Sequence, residues 1–411
     1  MKILIHGTNS HPELIGIGKY TGELAHWLAE RGHQVRVVCA PPYYPQWKVT
    51  AGYRQWWWSR RREEHSSGGY VDTIRCPLWV PRRPNGVNRL VHLASFALTS
   101  FPVMLISSIW RPKWVWVVEP PLFCAPQSLM VARICGAGAW LHVQDFEVDA
   151  AYDLGLLRSG RRFVEAIERW ILSRFNRVSS ISDQMLDRLR KKGVREERIR
   201  KFHNWADLEA IRYLPEQGAA FRRELDIPPT SVVALYSGNM GAKQGLEVLS
   251  GVARELAQSD SDVVFVFCGS GAGKEALVRD CADLLNVRFL PLQPIDRLCE
   301  LLNMADIHLL PQRADAADLV MPSKLTGMLA SGRPVVAGTK IGTALAVAIE
   351  GCGIAVEPEN PCAMATAIRK LADNPEFRRR LGRIARQYAE DRLGKEKVLI
   401  EFESEISGAA S

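Results

Sequence analysis

Short apolar runs alternate along this chain with longer segments in which apolar residues recur every three or four positions. In the first half the apolar runs are Lys2–His6, Val35–Cys39, Trp114–Val118 and Ala139–Val143. Such runs predict buried strands, and the periodic segments between them predict amphipathic helices. Because parallel strands need a crossover of this kind between them, the alternation predicts an α/β protein.

The second half of the chain repeats the alternation. Its strands are predicted at 232–236, 263–268, 287–290, 306–310, 334–337 and 354–356. Helical segments lie between these strands, and a long charged helix, Asp373–Arg392, follows them. The repeat predicts two doubly wound parallel-sheet domains in tandem.

Residues 206–230 interrupt the alternation and contain three prolines and a glycine. Prolines and glycines mark breaks between elements, so this stretch is predicted to be an interdomain linker. The predicted organisation is a first domain over 1–205, the linker, a second domain over 231–390 and a C-terminal tail over 391–411. The helix near the C-terminus is expected to pack back onto the first domain.

The net charge and the cysteines indicate which partners and which cellular compartment to expect. The 411-residue chain has a net charge of +8, which favours anionic partners such as phosphates, acidic lipids or nucleic acid. Its nine cysteines form no CxxC pair, so we expect reduced thiols and a cytoplasmic protein. No signal peptide is expected, because the N-terminus runs directly into a strand. The apolar stretch Leu90–Trp110 contains His92 and Pro102, which favours a buried or interfacial helix over a membrane span.

Several stretches resemble common ligand motifs but lack their spacing. GIGKYTG at 16–22 is not the GxGxxG fingerprint of dinucleotide-binding domains, because its third glycine comes one position late. GSGAGK at 269–274 is not a P-loop, because three residues separate its outer glycines and a glutamate follows the lysine. Asp260 and Asp262 precede a strand, and the histidines show no HExxH spacing, so no catalytic metal site is expected.

A glycine-rich loop follows the predicted strand Val232–Tyr236 and precedes a predicted helix. The loop contains Gly238, Gly241, Gly245 and the cation Lys243. Glycines let backbone N–H groups approach a ligand closely, and the positive end of a helix dipole attracts anions. The loop is therefore a candidate diphosphate site; an ordinary turn with a solvated lysine is the alternative.

A second cation comes before a helix in the stretch VMPSKLTGMLASGRPVVA at 320–337. Pro322 and Ser323 fit a helix start, with Ser323 as a capping or early-turn residue, which places Lys324 in the first turn. A lysine there is unfavourable unless an anion lies close, although a solvated lysine could tolerate this small cost. Since both lysines follow strands of one sheet, we expect Lys243 and Lys324 to converge on one diphosphate.

The stretch 41–69 is rich in aromatic and basic residues. It includes a tryptophan run and an arginine run: Trp56, Trp57, Trp58, Arg60, Arg61 and Arg62. Indole rings favour the membrane interface and arginines bind phosphate, so the stretch could dock on an anionic membrane or a lipid-linked substrate. The same residues could instead pack on the domain as a long loop, or stack on nucleic-acid bases.

Polar side chains follow the predicted strand Ala139–Val143, among them Asp145, Glu147 and Asp149. In open α/β sheets the ligand crevice lies beyond the carboxyl ends of the strands, so these residues are candidates for a site. Asp145 could orient or deprotonate a substrate hydroxyl, or it could cap the segment that follows.

Seven segments together resemble retaining glycosyltransferases of family 4, and within them the bacterial exopolysaccharide enzymes of the colanic-acid fucosyltransferase type. The segments are PELIGIGKYTGELAHWLAERGHQVRVV (12–38), APPYYPQW (40–47), LHVQDFEVDAAYDLGLL (141–157), FHNWAD (202–207), YSGNMGAKQGLEVL (236–249), MADIHLLPQ (304–312) and PSKLTGMLASGRPVV (322–336). They are spread over nearly the whole chain.

The resemblance implies the GT-B fold, in which two Rossmann-like domains face an interdomain cleft. The first domain would bind the acceptor and the second the nucleotide-sugar donor, with UDP or GDP as the nucleotide. A sugar of the fucose type would pass, with retention and without a metal or other cofactor, to a polyprenyl-diphosphate-linked saccharide. This implies a cytoplasmic enzyme that associates peripherally with the anionic inner-membrane surface and has no nucleic-acid partner.

Individual positions follow from the same resemblance. Asp145 matches the polar position near the reacting sugar, Lys243 the basic position that binds the diphosphate, and Gly16–Gly18 the segment that closes over the donor phosphates. The donor-binding set is Gly16, Gly18, Asn239, Lys243, Gln244, Ser323, Lys324 and Leu325. The set on the acceptor or membrane side is Lys19, Trp56, Trp57, Trp58, Arg60 and Arg61.

Two positions depart from the family pattern. Asn239 stands where the family often has an arginine, and Gly327 occupies the second position of its paired-glutamate signature, for which no first glutamate is found. Sugar and ribose contacts are therefore expected from other residues, such as Ser323 and Lys324. Two rival classes stay open: a sugar-nucleotide epimerase of the same architecture, and a nucleic-acid-binding protein that uses the Trp/Arg stretch.

Overall fold

A computed structural model describes residues 1–13, 16–82, 86–153, 160–241, 244–259, 261–314 and 322–408, without the side chains of Ala150, Ala151 and Asp153. The chain divides into two compact units. The first unit comprises Met1–His203 together with Leu399–Ser411, and the second comprises Asn204–Val398.

The first unit is built on a sheet that contains eight strands in the described part of the chain, in the order β3-β4-β2-β1-β5-β6-β7-β8. All neighbours are parallel except β3 and β4, which form an antiparallel hairpin at one edge. The strands are β1 (Lys2–His6), β2 (Gln34–Cys39), β3 (Ser59–Glu64), β4 (Tyr70–Arg75), β5 (Trp114–Glu119), β6 (Gly138–Val143), β7 (Arg177–Ser180) and β8 (Ile199–Lys201).

Helices cover this sheet. They are α1 (Gly16–Glu30), α2 (Gly86–Ile109), α3 (Ala125–Cys135), α4 (Glu147–Asp153), α5 (Arg161–Leu172) and α6 (Asp183–Lys191). Strand β5 is buried along its whole length, as expected for a central parallel strand with helices on both faces. The described chain ends in a helix from Lys395 to Gly408, and Phe402 of this helix packs edge-on against Trp116 of β5, with ring centroids 4.7 Å apart.

The second unit holds an all-parallel sheet with six strands in its described residues. Its strands are β9 (Val232–Asn239), β10 (Val263–Ser270), β11 (Val287–Leu290), β12 (Ile307–Leu310), β13 (Val335–Gly338) and β14 (Gly353–Val356). Its helices are α7 (Pro215–Glu224), α8 (Glu247–Ala257), α9 (Lys274–Asp280), α10 (Leu298–Met304), α11 (Lys324–Ala330), α12 (Ala344–Ala348), α13 (Pro361–Ala372) and α14 (Pro375–Arg392). The helix at Lys395–Gly408, α15, follows them in the chain. The strand order is β11-β10-β9-β12-β13-β14. Side-chain caps begin its long helices: Asn360 accepts a hydrogen bond from the N–H of Ala363 in α13, and Asn374 from that of Phe377 in α14.

The two parallel-sheet α/β units confirm the predicted fold class, but three local predictions differ from the structure. The stretch 41–69 is not one long loop, because Arg60–Arg62 lie on β3 and pair with β4. Residues 206–230, predicted as a linker, contain α7, and Phe221 of that helix is buried in the core of the second unit. Gly16 and Gly18 lie in the first turn of α1 rather than in a loop before it.

Helix α2 is the single helix in the described residues that is long and apolar enough, by length and composition, to cross a membrane. One of its faces is part of the core of the first unit. His92, Phe96 and Met104 are buried there, and the ring of His6 on β1 hydrogen-bonds Ser100 at 3.1 Å. The opposite face carries exposed apolar side chains, and 33% of its most apolar window is buried.

Candidate active site

In the second unit the chain changes direction across the sheet between β9 and β12. From β9 it continues to β10 and β11 on one side, and from β12 to β13 and β14 on the other. The loops that leave the carboxyl ends of two such strands form a crevice, where open α/β sheets bind ligands. Gly238 and Asn239 end β9, Gln244 lies in the loop that follows, and the segment after β12 leads to Lys324 at the start of α11.

Lys324 is the strongest electrostatic feature of this corner. Its ammonium group is buried, lies 4.0 Å from the ring centroid of Tyr236, and has no hydrogen-bond partner among the described residues. Burial lowers the pKa of Lys324 from 10.5 to about 7. A buried cation that only an aromatic face stabilises is costly, so this group is arranged to receive an anion.

The backbone beside Lys324 needs glycine. Gly238 has a φ of +128°, and a Cβ added there would lie 3.6 Å from the Cδ atom of Lys324. Gly245 has a φ of +60°, and a Cβ there would come within 3.0 Å of the carbonyl carbon of Gln312. The loop after β9 therefore lies against both Lys324 and the segment after β12, which brings together two of the stretches singled out in the sequence.

The other predicted donor-binding residues have different surroundings. Lys243 lies outside the described residues. Asn239 is exposed at the end of β9, and the N–H of Gln244 closes a turn onto the carbonyl of Gly241 at 3.1 Å. These two residues border the glycine loop.

The start of α11 corrects two predictions. Ser323 stands at the helix start, but its side chain makes no capping hydrogen bond. The side chain of Leu325 is buried in the core, and its N–H donates to the carbonyl of Pro322 at 3.0 Å. The side chain and the N–H group of Leu325 are therefore both unavailable to a donor. Lys324 is the residue of this turn that places a charge at the crevice.

Gln312 is a residue that sequence reasoning missed. It follows β12, is 8% exposed, and its Oε1 atom has no hydrogen-bond partner within the described ranges. A buried amide oxygen without a partner is unusual and suits a ligand hydroxyl or amide. The available signals were its place two residues after a buried strand and its position in the segment 304–312 that carries the family resemblance.

The lysine of the GSGAGK stretch is not a phosphate ligand in this structure. Lys274 donates to the backbone carbonyls of Gly269 at 3.0 Å and Leu290 at 3.3 Å. Its charge holds two strand ends together, which agrees with the rejection of a P-loop from the spacing.

The first unit presents carboxyl groups at the corresponding edge of its sheet. Asp145 follows β6 and is partly exposed, and Glu147 stands at the start of α4 with its carboxyl group buried. Burial raises the pKa of the neighbouring Tyr44 hydroxyl, and the charge of Asp145 raises it further. Tyr44 is 38% exposed and lies within the electrostatic influence of Asp145.

Glu13 fixes the loops around this edge. Its Oε1 accepts hydrogen bonds from the N–H groups of Tyr43 and Tyr44, both at 3.0 Å, and its Oε2 accepts one from Asn9 at 2.8 Å. Gly18 is required beside it, since a Cβ there would lie 2.5 Å from Oε2. Glu13 thus ties the loops after β1 and β2 to the first turn of α1.

Deeper in the same edge lies a group of buried carboxyls. Burial raises the pKa of Glu119 well above its usual range, and the charges of Glu147 and Glu168 add to this effect. Burial likewise raises the pKa of Glu147 and of Glu168, although Lys192 donates to Glu168. Burial thus disfavours the charged form of Glu119, and the first unit offers carboxyl groups where the second offers a cation.

The predicted acceptor-side residues form no single cluster. Lys19 lies 3.9 Å from Glu23 within α1. Arg60 pairs with the buried Asp72 through two hydrogen bonds of 2.6 and 2.8 Å, and Arg36 pairs with the same carboxylate. Arg61 is mostly exposed and lies 3.5 Å from Glu63.

The tryptophan run lies on the surface of the first unit. Trp56 and Trp57 are 65% and 63% exposed. The indole N–H of Trp58 donates to the carbonyl of Thr99 in α2 at 3.1 Å. The run therefore adjoins the exposed apolar face of α2, a proximity that no sequence pattern indicated.

Two family models match the chain, and together they span most of it. Residues 16–205 match a glycosyl transferase 4-like domain, and residues 218–388 match the glycosyl transferases group 1 domain. Over 99% of this chain and the full length of the relative, the sequence is 42% identical to an Escherichia coli (strain K12) protein named as a colanic acid biosynthesis glycosyl transferase, WcaI. The chain is a glycosyltransferase.

Solved structures place this glycosyltransferase in the GT-B fold. Sucrose-phosphate synthase from Thermosynechococcus elongatus superposes with a TM-score of 0.75 at 17% identity, with both chains covered completely. Anabaena HepE, solved in complex with UDP and glucose, superposes with a TM-score of 0.69 at 14% identity over 99% of this chain and 100% of HepE. At these identities the likeness establishes the fold of the glycosyltransferase and nothing finer.

Proposed function

We propose that this glycosyltransferase takes a sugar from a nucleoside-diphosphate donor bound by the second unit. The observation that carries the proposal is the buried ammonium group of Lys324, with no partner among the described residues, at the crevice between the loops after β9 and β12. A diphosphate in that crevice would supply the missing counter-charge. The sequence adds Lys243 as a second cation on the glycine loop.

The chemical step is breakage of the bond between the anomeric carbon and the diphosphate oxygen. Negative charge develops on the departing diphosphate and positive charge on the sugar ring. Fixed cations and oriented backbone N–H groups stabilise this leaving group more in the transition state than in the ground state. We propose retention of the anomeric configuration and no bound metal, because the chain resembles enzymes with those properties and supplies lysines where a metal would otherwise neutralise the diphosphate.

On the first unit, Asp145 would accept a hydrogen bond from the acceptor hydroxyl that attacks the sugar. Its partly exposed side chain suits the orientation of a saccharide hydroxyl and removal of its proton. Gln312 of the second unit takes the place of the missing glutamate pair as a source of a polar contact to the donor.

The full-length similarity to WcaI supports a role in exopolysaccharide biosynthesis of the colanic-acid type. We propose a fucose-type sugar as the group transferred and a polyprenyl-diphosphate-linked saccharide as the acceptor. UDP and GDP are the candidate nucleotides; the complex of HepE with UDP supports the former.

Thermal denaturation in the presence of UDP-, GDP- and dTDP-sugars tests the donor proposal. A true donor raises the melting temperature with its concentration, because it binds the native state alone. The shift should be smaller in Lys324→Met. If none of the nucleotides stabilises the wild-type protein, the donor site is wrong; if a donor is converted without any acceptor, the epimerase alternative is correct.

We further propose that the enzyme works on the cytoplasmic surface of the inner membrane. Trp56 and Trp57 are exposed beside α2, whose outer side carries Leu98, Phe101 and Ile106 in contact with solvent. An exposed apolar surface of this extent is typical of a membrane or protein interface, and tryptophan favours the former. Replacement of Trp56–Trp58 by serine should weaken binding to anionic vesicles, and unchanged partitioning would refute the docking.

A further inference from the structure

Helix α5 of the first unit exposes a stripe of large apolar side chains. Phe163, Ile167 and Trp170 are 71%, 43% and 56% exposed, and their spacing of four and three residues places them on one side of the helix. A neighbouring side, with Ile171 and Leu172, is buried in the unit. The apolar surface of the helix is therefore wider than the part that the fold buries.

Arginines border the exposed stripe. Arg162, Arg169 and Arg174 are all exposed, and the guanidinium of Arg174 lies 5.1 Å from the ring centroid of Trp170. From Arg161 to Arg177 there are five arginines and two glutamates. One of these glutamates, Glu168, is buried and accepts a hydrogen bond from Lys192, so the solvent side of this segment is strongly positive.

The topology places α5 on the same side of its sheet as α2. The chain crosses from β4 to β5 through α2, from β5 to β6 through α3, and from β6 to β7 by way of α5. The sheet order shows that all three crossings run in the same direction. Right-handed crossovers in one direction put their helices on one face, whereas α1, in the opposite crossing from β1 to β2, lies on the other.

We propose that α5 is a second membrane-binding element, which inserts Phe163, Ile167 and Trp170 into the headgroup region of an anionic phospholipid bilayer. Charge complementarity selects this occupant, because arginines on both ends of the stripe match lipid phosphates, and an arginine stacked on a tryptophan suits the boundary between headgroups and acyl chains. The inference deepens the proposed docking: the first unit would lie on the bilayer through the face that carries α2, α3 and α5, with two contact regions rather than one.

The experiment uses the full-length protein and vesicles of phosphatidylglycerol and phosphatidylethanolamine, with binding measured by cosedimentation. The variant Phe163→Ser/Ile167→Ser/Trp170→Ser, in which Trp56–Trp58 are intact, should lower the partition coefficient by roughly tenfold or more, since shallow interfacial binding scales with apolar area. The matched control is Leu285→Ser/Leu292→Ser/Ile295→Ser, which removes exposed apolar side chains from the second unit and should bind like the wild type.

A second variant separates charge from folding effects. Arg162→Glu/Arg169→Glu/Arg174→Glu leaves the apolar stripe intact and should weaken binding to the anionic vesicles and flatten its salt dependence, with little change on phosphatidylcholine vesicles. The circular dichroism spectrum and the melting temperature of the free protein serve as the fold check for both variants, because the substitutions lie in the first unit.

The outcomes distinguish this inference from the proposals on which it rests. If the wild type binds vesicles and both α5 variants bind equally well, the inference is overturned while the docking through α2 stands. If the wild type does not bind vesicles, the docking itself fails, yet donor binding can still be positive. If the serine variant instead abolishes self-association in solution without changing vesicle binding, the stripe covers a second copy of the chain and the membrane assignment of α5 is wrong.

Discussion

The two units present opposite chemistry at the same place in similar folds. In the second unit, the loops at the reversal of strand order enclose a buried lysine against an aromatic ring, with glycines beside it. In the first unit, the equivalent edge carries the carboxyls of Glu13, Glu119 and Asp145. Both edges lie beyond the carboxyl ends of parallel strands, so the difference resides in side chains and not in architecture.

This difference assigns a role to each unit. A buried lysine beside an aromatic ring is suited to stabilise a group that becomes more negative during the reaction. That group is the diphosphate leaving group. Carboxylates beside a tyrosine hydroxyl suit an acceptor that must lose a proton. This assignment can be tested by removing the charge from each edge in turn and measuring whether donor binding and turnover respond differently.

The largest effect is expected for the cation of the second unit. Lys324→Met should lower kcat/KM by about 10²- to 10³-fold, which corresponds to about 3–4 kcal/mol of transition-state stabilisation. Steady-state transfer assays measure this. The control is Lys370→Met, an exposed lysine of the same unit that also lies near an aromatic ring, 5.4 Å from that of Phe377. Wild-type turnover in Lys324→Met would remove the basis of the donor site.

A smaller effect, on turnover alone, is expected in the first unit. Asp145→Asn keeps the size of the side chain but removes the proton acceptor, so kcat should fall by about 10²-fold, within the usual range for a general base. The nucleotide-induced thermal shift should be unchanged, because the donor is held by the other unit. Loss of nucleotide binding in this variant would contradict the division of roles. Asp183→Asn, at the surface of the same unit, is the control.

The smallest expected signal is a proton taken up when the nucleotide binds. Burial lowers the pKa of Lys324 from 10.5 to about 7, so at pH 8 most of the free protein has a neutral amine at this position. A bound diphosphate favours the ammonium form, and binding at pH 8 should therefore take up close to one proton. Calorimetry in buffers of different ionisation enthalpy measures it. Lys324→Met should bind without this uptake, and equal uptake in both proteins would assign the proton to another group.

The same pKa has a consequence for stability in the absence of ligand. Between pH 7 and pH 10.5 the unfolded chain holds a proton on Lys324 that the folded protein lacks. The contribution of this group to the free energy of unfolding therefore rises with pH across that window, and its cost is greatest below pH 7.

Much of the fold could be predicted because buried parallel strands are short, apolar and bounded by glycines. The predicted strand at 287–290 has the bounds that the structure shows, and that at 263–268 lacks only its last two residues. The β3–β4 hairpin was missed because β3 reads SRRREE, an exposed edge strand with no apolar alternation. Helix α7 was missed because its prolines and glycine suggested a linker, whereas tertiary packing of Phe221 stabilises it.

A site residue could be predicted from the sequence only where its residue type is unfavourable at its position in the local secondary structure. Lys324 stood out because a lysine is unfavourable at a helix start, and its burial beside Tyr236 gives the physical reason. Gln312 and Glu13 could not be found in this way. Their importance depends on hydrogen bonds to distant segments, or on the absence of such bonds among the described residues, and one sequence contains no trace of either.

The charged edge strand of the first sheet also governs how copies of this protein behave when crowded together. In the described part of the chain one side of β3 has no strand beside it, so its backbone is a template on which another chain could extend the sheet. Three consecutive arginines and two glutamates occupy that strand, and charged side chains on an edge strand oppose its pairing with another chain. Many molecules concentrated on one surface can thus remain separate, and neutralising these side chains would expose them to aggregation.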